Sequence, residues 1–165
     1  MDAFPSFAMA TPWCGNPTPS CVTSLRDMAA KGSGPMMQRR ARVEGWMDWS
    51  QTALQPDFLN GVFWGFFRTP AAQRNWPAIR ATLARCEAHF GKLDRLLDGR
   101  PFLLGETPSL ADITTGTSLY RYFGLEIERP PLPQVERWYH TLQQRAAFRE
   151  HVMIPFEELR GRLDY

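Results

Sequence analysis

Three cysteines, three histidines, the Ser109-x-x-Asp112 pair and an arginine cluster are the residues of this chain that first suggest chemistry. Trp13-Cys14-Gly15 could open a redox thiol motif, but the next cysteine is Cys21. The Cys-x-x-Cys spacing that lowers a thiol pKa is therefore missing. Cys86 falls on an apolar helical stripe and reads as an inert small hydrophobe. His89, His140 and His151 lie on different segments with no Cys, Asp or Glu at ligand spacing, so no metal site is expected. Glu157 and Glu158 are adjacent and point apart on a helix, which does not assemble an acid/base pair. Arg39, Arg40 and Arg42 read as a solvated helix start. Ser109 and Asp112 have the spacing of a capping box, a structural device whose removal should cost about 1 to 2 kcal/mol. The catalytic inventory is therefore empty. No nucleophile elbow, phosphate loop or dinucleotide fingerprint occurs, and Gly32-Ser33-Gly34-Pro35 reads as a linker.

The elements that would position these residues follow from composition and period. The chain has 165 residues, 44% hydrophobic and 13% aromatic, enough for one domain with a sizeable core. Nineteen basic residues against 17 acidic ones leave a net charge of +2, too small to gather nucleic acid or anionic lipid. The longest apolar run, Val62 to Phe67, falls far short of the ~20 residues that cross a bilayer. Met1 to Ala10 contains Asp2 and Pro5 and no continuous apolar run, so no export leader is expected. Three cysteines do not make a disulfide framework, and the expected compartment is the reduced cytoplasm.

Residues 1–38 carry Pro5, Pro12, Pro17, Pro19 and Pro35 with no persistent period, and are expected to be a flexible Pro/Ser/Gly-rich tail or remnant. Residues 39–165 change to periodic, Arg- and Leu-rich segments, the pattern of an all-α bundle of about five helices. The first helix is expected from about Arg39 to Phe67, kinked or restarted at Pro56. The second, about Trp76 to Leu97, places Ile79, Leu83, Cys86, Phe90, Leu93 and Leu97 on one stripe. The third should run from the Ser109 cap to Phe123. A fourth follows the Pro130, Pro131, Pro133 cluster with Val135, Trp138, Tyr139 and Leu142 inward, and a last short one covers about Phe148 to Val152.

Leu104-Gly105-Glu106-Thr107-Pro108-Ser109-Leu110-Ala111-Asp112-Ile113 resembles the capping-box segment of the C-terminal all-helical domain of glutathione transferases. Trp46-Met47-Asp48-Trp49 and Phe63-Trp64-Gly65-Phe66-Phe67-Arg68-Thr69-Pro70 resemble the opening helix and its exit in bacterial members of that family. Leu132-Pro133-Gln134-Val135-Glu136-Arg137-Trp138-Tyr139 and Ala147-Phe148-Arg149-Glu150-His151-Val152 are similar to its last two helices. The resemblance covers residues from about 39 to 165 and implies that glutathione is held mainly by an N-terminal thioredoxin-like domain of roughly eighty residues. Only 38 residues precede the helical part here, without a strand pattern. The expectation is a transferase-like protein reduced to its helical domain and inactive alone in glutathione conjugation. Glutathione would be a co-substrate only where a thioredoxin-like domain is supplied, and no cofactor is expected to bind tightly. The alternatives are a protein-binding or scaffolding helical module, or a fragment that works with a separate thioredoxin-like domain.

The resemblance also implies an apolar acceptor pocket for a hydrophobic small molecule between the first and third helices. On this chain that places Gln55, Phe58, Leu59 and Val62 opposite Thr115, Leu119 and Tyr122, with plain core packing the stronger alternative for the apolar members. Phe58, Leu59, Val62, Phe63, Trp64, Phe66 and Phe67 cannot all share one stripe, so a homodimer or a helical partner is expected on the first two helices. Phe4, Phe7 and Trp13 are the alternative cover.

Overall fold

The structure, a computed structural model, describes residues 34–163. Most of the tail expected over residues 1–38 lies outside the described residues, with Cys14, Cys21, Phe4, Phe7 and Trp13 in it. The chain divides into two units at Gln38 and Arg39, and the account below concerns the second. The fold is all-α: among the described residues the only β contact is a single antiparallel bridge between Phe102 and Gly105. No described helix is long and apolar enough to cross a membrane.

Helix α1 (Pro35–Trp49) has no buried residue. It continues into two segments of wide i→i+5 turns, π1 (Ser50–Leu54) and π2 (Pro56–Arg68), joined by Gln55 in ordinary helical geometry at φ −62° and ψ −44°. Pro56 heads π2 with Asp57 in its first turn, so a restart at the proline is found without a break in the helical path. In a regular α-helix a proline ring collides with the carbonyl four residues back. Wider turns, already running from Ser50, relieve that clash.

Helix α2 (Trp76–Leu96) starts where Asn75 accepts the Ala78 amide at 3.2 Å; of the expected stripe Ile79, Cys86, Phe90, Leu93 and, just past its end, Leu97 are buried, whereas Leu83 is half-buried and its neighbour Thr82 is buried. Gly99 (φ 65°) and Gly105 (φ 127°) take the left-handed turns of the following loop. The expected third helix is two helices, α3 (Leu110–Gly116) and α4 (Leu119–Gly124). Thr117 and Ser118 keep right-handed dihedrals, yet the ladder lapses between them. Thr114 Oγ1 donates to Leu110 O and Thr117 Oγ1 to Thr114 O, the hydroxyl competition that weakens helix interiors.

Helix α5 (Pro133–Gln143) buries the expected Val135, Trp138, Tyr139 and Leu142, and α6 (Ala146–His151) buries Phe148. Phe156 then folds back onto Phe63, Phe67 and Tyr120, with ring centroids 5.6, 5.1 and 5.5 Å away. The chain end is strapped to the exit of π2: Gly161 N donates to Phe67 O at 3.0 Å and the buried Arg68 donates to Arg162 O at 2.9 Å.

Candidate functional site

Of the seven residues expected to line an acceptor pocket, Phe58 and Tyr122 meet across π2 and α4, and Gln55 reaches the segment between α3 and α4. Gln55 Nε2 donates to Ser118 Oγ at 3.4 Å, and the Phe58 and Tyr122 rings meet edge to face at 5.9 Å. The space between them is occupied by their own side chains: Phe58, Val62, Thr115, Leu119 and Tyr122 are all buried. Gln55 and Leu59 keep partial exposure. Thr115 Oγ1 and the Tyr122 hydroxyl are buried without a hydrogen-bond partner. Burial pushes the Tyr122 phenol well above its ordinary value, against the pull of Arg129. It stays a neutral phenol, stacked on Phe90 at 4.1 Å.

No activated nucleophile stands in this region. The Cys86 thiol is fully buried and burial pushes its pKa up to about 12, with Asp57 adding in the same sense. A thiol in that setting is not a thiolate at neutral pH.

Asp57 is the focus of a polar cluster the sequence did not signal. Its Oδ1 accepts from Arg85 Nε at 2.8 Å and its Oδ2 pairs with His89 Nε2 at 3.1 Å, stitching π2 to α2. Burial raises the Asp57 pKa, but the hydrogen bonds and charges of Arg85 and His89 outweigh it and hold the carboxyl below its usual range. His89 Nδ1 is buried without a partner, and its ring lies edge-on to Trp49 at 5.5 Å. Asp57 and His89, with Thr52, Pro56 and Lys92, line a cleft of about 300 Å³.

Beside it, a groove of about 560 Å³ runs between α1 and the C-terminal half of α2. Trp46, Trp49, Leu93, Leu96, Leu103 and Leu104 make its apolar lining, and Arg42, Lys92 and Arg100 stand around it. Its residues come from three separated segments, and Lys92 is shared with the Asp57 cleft. Among the described residues no three His, Cys, Asp or Glu side chains gather as a metal set.

The family described as "Glutathione S-transferase, C-terminal domain" matches residues 62–141. Glutathione S-transferase GstB of Escherichia coli K12 is 36% identical over 117 residues, which cover 71% of this chain and 56% of that protein. The chain thus spans about half the length of that relative. Elongation factor 1-gamma of Carassius auratus is 30% identical over 128 residues, covering 76% of this chain and 28% of that protein. Among solved structures, the apo theta class glutathione S-transferase of Xanthomonas axonopodis pv. citri superposes with a TM-score of 0.69 at 32% identity, covering 82% of this chain and 72% of that one. The glutathione-bound form of the same enzyme gives a TM-score of 0.68, and this chain covers 66% of it.

Proposed function

Since this chain belongs to the glutathione S-transferase family through its C-terminal helical domain, we propose that its 165 residues supply the acceptor side of a transferase and do not conjugate glutathione by themselves. The carrying observation is the Cys86 thiol inside the helical domain, fully buried and pushed up by that burial to about 12, so that it is no nucleophile at neutral pH. Glutathione, seen bound in the Xanthomonas relative, would act here as a co-substrate presented with a thioredoxin-like domain. Gln55 and Leu59, the two partly exposed members of the expected lining, are where an apolar acceptor would first touch the packed wall behind them. The reaction belongs to the cytoplasm.

Incubating the purified 165-residue chain with glutathione and a nitro-substituted aryl chloride is the direct test. The expected outcome is the uncatalysed rate at every protein concentration. Conjugation that rises in proportion to protein would overturn the reading.

Association through the first helices is the second part of the proposal. Trp76 is 45% exposed and meets the half-buried Phe66 edge to face at 6.0 Å, with the Arg74 guanidinium 4.6 Å over the Phe66 ring. An exposed Trp beside a half-buried Phe and a half-buried Arg has the composition of an interface hot spot. Four of the seven large apolar residues of π2 (Phe58, Val62, Phe63, Phe67) are buried within one chain, leaving Leu59, Trp64 and Phe66 partly open. A homodimer across this patch would cover Phe66 and Trp76, and the likeness to elongation factor 1-gamma keeps a scaffolding partner as the alternative occupant. Sedimentation is expected to give a dimer for the chain and a monomer for Trp76→Glu; a monomeric parent chain ends the homodimer idea.

A further inference from the structure

We propose that the groove formed by the end of α4, the loop over residues 125–132 and α5 binds a zwitterionic α-amino acid with an aromatic side chain. One cation, Arg129, and one anion, Glu136, line this apolar groove, and neither makes an ion pair among the described residues. The assignment holds whatever the chain's part in transferase chemistry.

The groove measures about 570 Å³, in the range of small-molecule sites. Phe123 at the end of α4 and Tyr139 of α5 stack with centroids 5.2 Å apart and planes at 18°, and both belong to the lining. Ile127, Pro130 and Pro131 supply the rest of the apolar wall. Leu125 and Leu132 are buried at the two ends of the loop and anchor it on the core. Proline rings have no rotamer freedom to lose and aromatic rings have little, so an aromatic guest covers this wall at low entropic cost.

Arg129 is fixed before any guest arrives. Its Nη1 donates to Tyr122 O at 2.9 Å and to Leu125 O at 2.8 Å, two carbonyls at the C-terminal end of α4. Its guanidinium also lies over the Tyr122 and Phe123 rings, 5.6 and 5.8 Å from their centroids. The Nε–Nη2 edge has no hydrogen-bond partner among the described residues. A guanidinium held rigid through one nitrogen offers that free edge to a carboxylate with little freedom left to lose. Glu136, in the first turn of α5, is exposed. The other charged or titratable groups nearby are engaged or lie outside the lining. His140 Nδ1 meets Gln143 Oε1 at 3.0 Å, and Arg137 Nη2 holds Leu97 O and Arg100 O at 2.8 and 2.7 Å. Glu126 lies 3.9 Å from Arg160, and Glu128 is no part of the lining and makes no ion pair with Arg129. Arg129 and Glu136 stand beyond ion-pair distance of each other, a gap that a carboxylate and an ammonium on one carbon would bridge. A plain anion would leave Glu136 unanswered, a plain cation Arg129, and a zwitterion without a ring would leave the apolar wall wet. An aromatic amino acid meets all three.

The 165-residue chain is titrated at neutral pH with L-phenylalanine and followed by its amide NMR signals. Saturable shifts centred on residues 123–140 are expected, with a Kd of about 1 mM or tighter. Removing either charge from the probe should weaken binding about fivefold or more: 3-phenylpropanoate lacks the ammonium and 2-phenylethylamine lacks the carboxylate. L-alanine, which lacks the ring, should bind about tenfold more weakly. Glu136→Gln should weaken L-phenylalanine about fivefold and leave 3-phenylpropanoate unchanged, a selectivity that a loss of folding would not produce. Glu128→Gln should bind as the parent does; both glutamates are exposed, so these variants keep the core. Arg129→Ala would also strip the carbonyls at the end of α4 of their donor, so the part of Arg129 is read from 2-phenylethylamine instead. The proposal is overturned if L-phenylalanine does not saturate by about 10 mM, or if its shifts lie away from residues 123–140. It is equally overturned if either single-charge probe or L-alanine binds as tightly as L-phenylalanine, if Glu136→Gln binds L-phenylalanine like the parent, or if Glu128→Gln weakens it as much as Glu136→Gln does.

Discussion

Asp112→Ala is expected to lower the unfolding free energy by about 4 kcal/mol, a large share of the roughly 5 to 15 kcal/mol that holds a domain together. The carboxylate is fully buried and both of its oxygens are used twice. Oδ2 accepts from the Ser109 amide and the Ser109 hydroxyl, each at 2.8 Å, while Oδ1 accepts from the Leu103 amide at 2.8 Å and from Trp138 Nε1 at 3.2 Å. Alanine would strand the buried Leu103 amide and the Trp138 indole N–H without acceptors, which costs more than the lost bonds themselves. Asp112→Asn keeps one acceptor oxygen and turns an NH₂ toward donors, so its effect should be intermediate. Ser109→Ala removes only the local cap and should cost about 1 kcal/mol. Urea denaturation monitored by circular dichroism separates the three. An Asp112→Ala midpoint equal to that of Ser109→Ala would mean that the contacts to Leu103 and Trp138 contribute nothing.

Gly61→Ala should also destabilise, against its helix propensity. In an open helix the change would stabilise by about 1 kcal/mol. Here a Cβ on Gly61 would lie 2.1 Å from Thr82 Cγ2 and 2.8 Å from Thr82 Cβ, because the Thr82 side chain of α2 sits against the bare backbone of π2 at this glycine. Thr82 is itself buried and its hydroxyl is tied to Ala78 O, so it has little room to yield. Overpacking of this kind costs about 1 to 3 kcal/mol, so the clash outweighs the propensity gain and the melting temperature should fall by several degrees. Adding Thr82→Ala removes the nearer collision and leaves the one at Cβ, so rescue should be partial. A Gly61→Ala protein that melts at or above the parent temperature would contradict the close approach.

What the amino-acid order determined by itself is the set of features encoded within a few turns. The α2 stripe of Ile79, Cys86, Phe90, Leu93 and Leu97, with Leu83 half-buried at its margin, and the α5 stripe of Val135, Trp138, Tyr139 and Leu142 turn inward, because a 3.6-residue period defines a face wherever the helix packs. The Ser109–Asp112 box is equally local, and the run of family-like segments was enough to place the chain among glutathione transferase helical domains. The tertiary structure decided everything that depends on residues far apart in the chain. Asp112 reads as a cap worth 1 to 2 kcal/mol until Trp138, 26 positions away, donates to its other oxygen. The wide turns on either side of Pro56 answer a steric clash and the lapse at Thr117–Ser118 a competing hydroxyl donor, neither of which hydrophobic periodicity registers. Phe58 does meet Tyr122 and Gln55 reaches Ser118, but only packing could tell whether apolar faces leave a gap or fill it. The groove lies instead where α1 has no buried residue and Lys92 and Arg100 meet the Trp46–Trp49 corner, a juxtaposition created by helix packing across more than forty positions of sequence.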